Sequence, residues 1–147
     1  MVIGGLGATL HGAELATGDL DVVHALSEDN LRRIANALQS LEADSLDFPG
    51  LTTDDWPALL GGSDVWRWHT RLGDLDMMSS PSGAPRFETL KGRAAEVDIR
   101  GVRVRVAALE DLIAMKQTTG RHKDIAKLVE LQELARLRAE SEARQAP

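Results

Sequence analysis

The chain has 147 residues, enough for one domain with its own core, and 43% hydrophobic against 27% charged residues is ordinary for a globular fold. It contains no cysteine, which excludes a disulfide framework or a thiolate metal site, and no apolar run approaches the roughly 18 residues of a membrane span. The net charge of −6 is uneven: residues 1–80 hold four basic and thirteen acidic side chains, residues 81–127 hold ten and six, and the last twenty hold three and four.

Met1 to Ile3 reads as a short buried strand running into Gly4-Gly5, with no basic region and apolar stretch of the signal type. A soluble, cytoplasmic protein is expected. Residues 5–12 suggest a short helix, and Leu20, Val22 and Val23 surround Asp19 and Asp21 in a strand. Ser27 is a good N-cap for a helix that carries Leu31, Ile34, Ala35 and Leu38 and ends by about Asp44. Residues 45–64 read as loop with one short helix near Trp56–Leu60. Val65 to His69 and Leu72 to Met78 suggest two strands with a turn at Leu72-Gly73, followed by a loop from Ser79 to Pro85. Ala95, Val97 and Ile99, then Val102, Val104 and Val106, alternate with charged residues as a hairpin with one wet face. From Ala108 the period becomes helical, breaks at Thr118-Thr119-Gly120, and resumes from about Arg121 to Arg138. The division expected is a core over 1–107, a helical pair over 108–140 in the same domain, and a frayed tail over 141–147. The fold class is α/β (α+β): a small mixed sheet flanked by helices.

In a strand, residues i and i+2 face the same way about 6.5–7 Å apart, so Asp19 and Asp21 share one face while Leu20 and Val22 pack on the other. Two carboxylates this close repel unless cations sit between them, and an all-oxygen set suits Mg²⁺, which takes substrate phosphates as further ligands. Two such ions could clamp the attacking and leaving oxygens of a phosphoryl transfer. Alone, Asp-Leu-Asp is an ordinary edge-strand face. Its context is a Gly-Gly turn, a short helix and Thr17-Gly18. Gly4 and Gly5 allow close backbone approach, and the helix start offers N–H groups to phosphate, with Thr17 completing a triphosphate cradle.

The run Ile3-Gly4-Gly5 through Thr17-Gly18-Asp19-Leu20-Asp21 resembles the signature of the polymerase-β-like nucleotidyltransferase superfamily, and the chain is most similar to its AbiEii-type toxin branch. Relatives carry a helix before the first strand, whereas this chain begins at the strand itself. Either the reading frame starts late, or another segment or subunit is expected to cover that edge. The resemblance also implies a third carboxylate on a later strand. Asp74, Asp76, Glu96 and Asp98 are the candidates, of which the resemblance favours Asp76; Glu96 and Asp98 are otherwise explained as a wet strand face.

Lys116 continues the apolar stripe of Leu109, Leu112 and Ile113, so it either snorkels past the helix end or is kept for an anionic ligand. The run Leu112-Ile113-Ala114-Met115-Lys116, then Arg121-His122-Lys123-Asp124, resembles the second AbiEii-type motif. That resemblance implies that Lys116 neutralises a nucleotide phosphate and that Asp124 orients Lys116 or the acceptor hydroxyl. Loss of Lys116 is expected to matter far more than loss of Lys127. The four histidines are read as surface or loop residues, and Trp56, Trp66 and Trp68 as core or subunit contacts. Arg100, Arg103 and Arg105 read as a solvated hairpin face, with a basic group for RNA as the alternative.

The function expected is metal-dependent transfer of a nucleoside monophosphate from an NTP to an acceptor hydroxyl. Asp19, Asp21 and Asp76 hold Mg²⁺, and Gly4, Gly5, Thr17 and Lys116 hold the nucleotide. The resemblance implies a toxin acting on RNA such as tRNA, or on protein, with an antitoxin partner. A small-molecule acceptor, or a catalytically silent nucleotide- or partner-binding module of the same fold, is the alternative.

Overall fold

The computed structural model describes residues 1–51, 53–62, 65–120 and 125–145. Helix α1 (Gly4–Leu10) leads through a loop to strand β1 (Asp19–Val23), then to α2 (Glu28–Ser40), β2 (Asp44–Ser45) and α3 (Trp56–Leu60). Strands β3 (Trp66–Thr70) and β4 (Gly73–Met78) form a hairpin, α4 (Phe87–Arg93) follows, and β5 (Ala95–Ile99) with β6 (Val102–Val106) forms a second hairpin. Helices α5 (Leu109–Thr119) and α6 (Ile125–Gln145) complete the chain.

The central sheet has the order β1-β4-β3-β2, with β1 parallel to β4 and the other pairs antiparallel. The N-terminal segment extends it. Val2 donates its N–H to Arg105 O (2.8 Å) and accepts from Ala107 N–H, while Ile3 N–H donates to Asp21 O (3.0 Å). Val2 thus bridges β1 and β6, joining the β5–β6 hairpin to the central strands. The result is the expected small mixed sheet flanked by helices, with a helical pair at its C-terminal end.

Alternation along the strands gives the sheet two chemically different faces. On one, Trp66, Trp68 and Met77 pack with Leu31, Ala35 and Leu38 of α2 and Trp56 and Leu60 of α3. Trp56 and Trp68 meet edge to face at 5.0 Å, so the tryptophans are core residues. On the other face, Val23 and Met78 pack with Ile3, Leu90, Ala107, Leu112 and Met115. The same face carries the aspartates of β1 and β4. A third cluster, Ala8, Ala13, Leu109 and Leu131, docks α6 onto α1 and α5.

Several local expectations need correction. Ser27 is the N-cap residue of α2 but makes no side-chain capping bond. The helix ends at Ser40, within the expected bound, and a left-handed Glu42 precedes Asp44–Ser45, which pair with β3. The β3–β4 turn lies at Arg71-Leu72, one residue early, because Thr70 pairs with Gly73. Helix α4 was not anticipated. Helix α6 reaches Gln145, beyond the expected end near Arg138. His11 and His24 are buried; His11 Nε2 donates to Ala107 O (2.8 Å), and Arg138 donates to His11 O (2.6 Å), tying α6 to the end of α1. Among the described residues no helix is long and apolar enough to cross a membrane.

Candidate active site

The parallel pairing of β1 with β4 sets Asp19 beside Asp74 and Asp21 beside Asp76. All four point from one face, yet only three converge: Asp19, Asp21 and Asp76 each present a carboxylate oxygen within 4.8 Å of the others. Asp74 is turned aside, its Oδ1 against His69 Nδ1 at 2.7 Å. Glu96 and Asp98 lie on the β5–β6 hairpin, where Glu96 pairs with Arg105 (3.3 Å) and Asp98 accepts Gly101 N–H (2.8 Å). The third carboxylate brought to the pair is therefore Asp76.

Burial, then the charges of Asp19 and Asp76, hold the Asp21 carboxyl above the ordinary range, against the Gly5 N–H bond and the nearby Lys116 charge. Asp76 is also pushed up, by burial and then by Asp19, while Arg67 across the β3–β4 pair opposes the shift. Arg67 is itself held by Asp47, its Nε donating to Oδ1 at 2.9 Å. Sequence reasoning missed this Arg67–Asp47 pair, because Asp47 lies in a loop and reaches Arg67 only through the β2–β3 pairing. The donor set fits a hard divalent cation: it is all oxygen and mutually repulsive, with Asp21 and Asp76 half-buried and Asp19 exposed.

The Gly-Gly turn wraps this cluster. Gly4 has φ +62, and a Cβ there would lie 1.8 Å from Asp21 Oδ2. A Cβ on Gly5 would lie 2.6 Å from Thr17 Oγ1. Both positions lack a side chain so that Asp21 and Thr17 can close on the backbone. The Thr17 hydroxyl donates to Asp19 Oδ1 (2.9 Å), which makes it an orienting group for that carboxylate as well as a wall of the cleft.

These groups line a cleft of about 590 Å³ between the sheet, the 79–82 loop, α5 and α6. Gly4, Gly5, Thr17, Asp19, Asp21, Asp76 and Lys116 all face it. So does Lys127. Asp124 lies outside the described residues, as do Arg121, His122 and Lys123.

A mixed sheet brings three carboxylates together beneath a glycine turn, faced by lysines, an arrangement with donors for a divalent cation and for phosphate. Residues 87–143, 57 of the 147, match the family described as a nucleotidyl transferase of unknown function. The matched segment runs from α4 into α6 and includes Lys116 and Lys127, while the three carboxylates lie before it. The similarity supports a nucleotidyltransferase family. No curated protein matches the chain.

Proposed function

We propose that the protein is a metal-dependent nucleotidyltransferase that moves a nucleoside monophosphate from an NTP to an acceptor hydroxyl. The observation that carries the reading is the convergence of Asp19, Asp21 and Asp76 in a cleft that also holds Lys116 and the Gly4-Gly5 turn. Asp19, Asp21 and Asp76 would hold Mg²⁺, which would supply charge neutralisation to the transferring phosphate. The acceptor oxygen bonds to the α-phosphorus, the α–β bridging P–O bond breaks, and pyrophosphate leaves with its electron pair. The hydroxyl proton passes to the Asp76 carboxylate, which converges with Asp19 and Asp21 in the cleft. Lys116 offsets phosphate charge at the reacting end, and Thr17 holds Asp19 in its orientation.

The acceptor favoured is RNA, with tRNA the first to try, on the side of the chain where residues 81–127 carry ten basic against six acidic side chains. The resemblance to AbiEii-type toxins supports a toxin role with an antitoxin partner. Incubation with each α-labelled NTP, Mg²⁺ and cellular RNA, protein and metabolite fractions tests the reading. Label is expected on the RNA, lost in Asp76→Asn and retained in Asp74→Asn and Asp98→Asn. Activity in Asp76→Asn with loss in Asp98→Asn would overturn the choice of third acid. NTP binding with no transfer to any fraction would leave a nucleotide-binding module.

A further inference from the structure

We propose that Lys127 is a second phosphate-binding cation of the cleft, holding the terminal phosphates of the bound triphosphate; the proposal rests on the nucleotidyltransferase reading. Lys127 belongs to α6, and two contacts fix that part of the helix over the loop between α1 and β1. Glu130 accepts the Glu14 N–H at 2.6 Å, and Leu131, fully buried, packs with Ala13. Further along, Arg138 grips His11. Residues i and i+4 share a helix face, so Lys127 lies one turn from Leu131 on the side that meets the loop carrying Ala16 and Thr17. Lys127, Ala16 and Thr17 line the same cleft.

The lysine is half-buried on the cleft wall. An ammonium on the wall of a cleft that takes phosphates gains charge-assisted hydrogen bonds from them. Lys116 is among the charges that act on Asp21, which sets it beside the carboxylates. Lys127 comes from a different wall of the cleft, on α6, so the two lysines are placed for different phosphates of one chain. A triphosphate whose reacting phosphate sits at the carboxylates and Lys116 leaves its β- and γ-phosphates for the α6 wall.

Calorimetry with Mg²⁺–tripolyphosphate, which carries the phosphates without a base, tests the assignment, alongside Mg²⁺–ATP, –GTP, –CTP and –UTP and the matching monophosphates. The proteins are wild type, Lys127→Met, Lys127→Arg, Asp21→Asn and, as a remote control, Lys91→Met, whose lysine pairs with Glu88 on α4. Lys127→Met should weaken tripolyphosphate and the preferred NTP by about tenfold, the loss of one charge-assisted contact. It should leave the monophosphate unchanged, and Lys127→Arg should restore most of the affinity. Wild-type binding that Asp21→Asn abolishes and Lys127→Met leaves intact would overturn this proposal and spare the nucleotidyltransferase reading. Equal weakening of monophosphate and triphosphate by Lys127→Met would overturn the assignment to the terminal phosphates. No binding of any NTP by wild type would overturn the reading on which the proposal rests.

Discussion

Asp21 and Asp76 are held above the ordinary carboxylate range, chiefly by burial and then by neighbouring carboxylates. A folded-state pKa above the unfolded value means that the folded protein binds the proton more readily. The stabilisation is present below the unfolded value, about 3.9, and is lost as pH rises through the folded one. At neutral pH the ionised cluster therefore costs stability in the metal-free protein. Asp21→Asn should raise the metal-free Tm at pH 7, each kcal/mol relieved giving about 2–4 °C, and the gain should shrink as pH falls toward 4. The same variant should lose the Tm increase that Mg²⁺ gives the wild type. Differential scanning fluorimetry with and without Mg²⁺ reads both effects. A lower metal-free Tm for Asp21→Asn would mean that the carboxylate is satisfied without a cation. The choice between Asp74 and Asp76 also lies at this scale. Alternation along β4 puts both on one face, and only the His69 contact and the convergence on β1 separate them.

At the scale of elements, the turn from Ile3 into α1 determines whether the cluster can form. Gly4 combines a left-handed backbone with a missing Cβ where Asp21 Oδ2 sits, whereas Gly18 has nothing within 4 Å of its would-be Cβ. Gly4→Ala should therefore cost about 1 kcal/mol or more in backbone strain and displace Asp21, abolishing Mg²⁺-dependent stabilisation. Gly18→Ala should change neither property appreciably. Urea unfolding of both variants, each with and without Mg²⁺, checks this; a cation response retained in Gly4→Ala would contradict the packing of the turn on Asp21.

The elements legible in the sequence were those whose signal is local. The Gly-Gly turn, Asp-Leu-Asp, the five-residue helix at Trp56–Leu60 and the β5–β6 alternation each specify their own geometry. Strand β2 has two residues and no period, and exists because β3 offers it an edge. Helix α4 brings only Phe87 and Leu90 to the core and follows a proline-rich loop. Lys127 was passed over because its place depends on how α6 docks through Glu130, Leu131 and Arg138, which no spacing within α6 records.

Across the whole molecule, the charge division carries over only partly into surface. Arg105 pairs with Glu96, and Arg103 stands opposite Asp98 in the hairpin, so the basic group of the second half is diluted by its own strand partners. If RNA docks there, three or four phosphate contacts give a slope of log affinity against log salt of about −2 to −4. Neutralising Arg103 and Arg105 together should make that slope shallower. A salt titration of tRNA binding by wild type and the double variant reads this directly; an unchanged steep slope would put the RNA on another surface.

The central claim is that the aspartate cluster binds nucleotide through divalent cations. Calorimetric titration of the wild type with each NTP, in Mg²⁺ and again in excess chelator, tests it most directly. The account predicts binding in Mg²⁺ that disappears with chelator and is weakened by Asp19→Asn and by Asp21→Asn. Equal NTP affinity in Mg²⁺ and in chelator would contradict it.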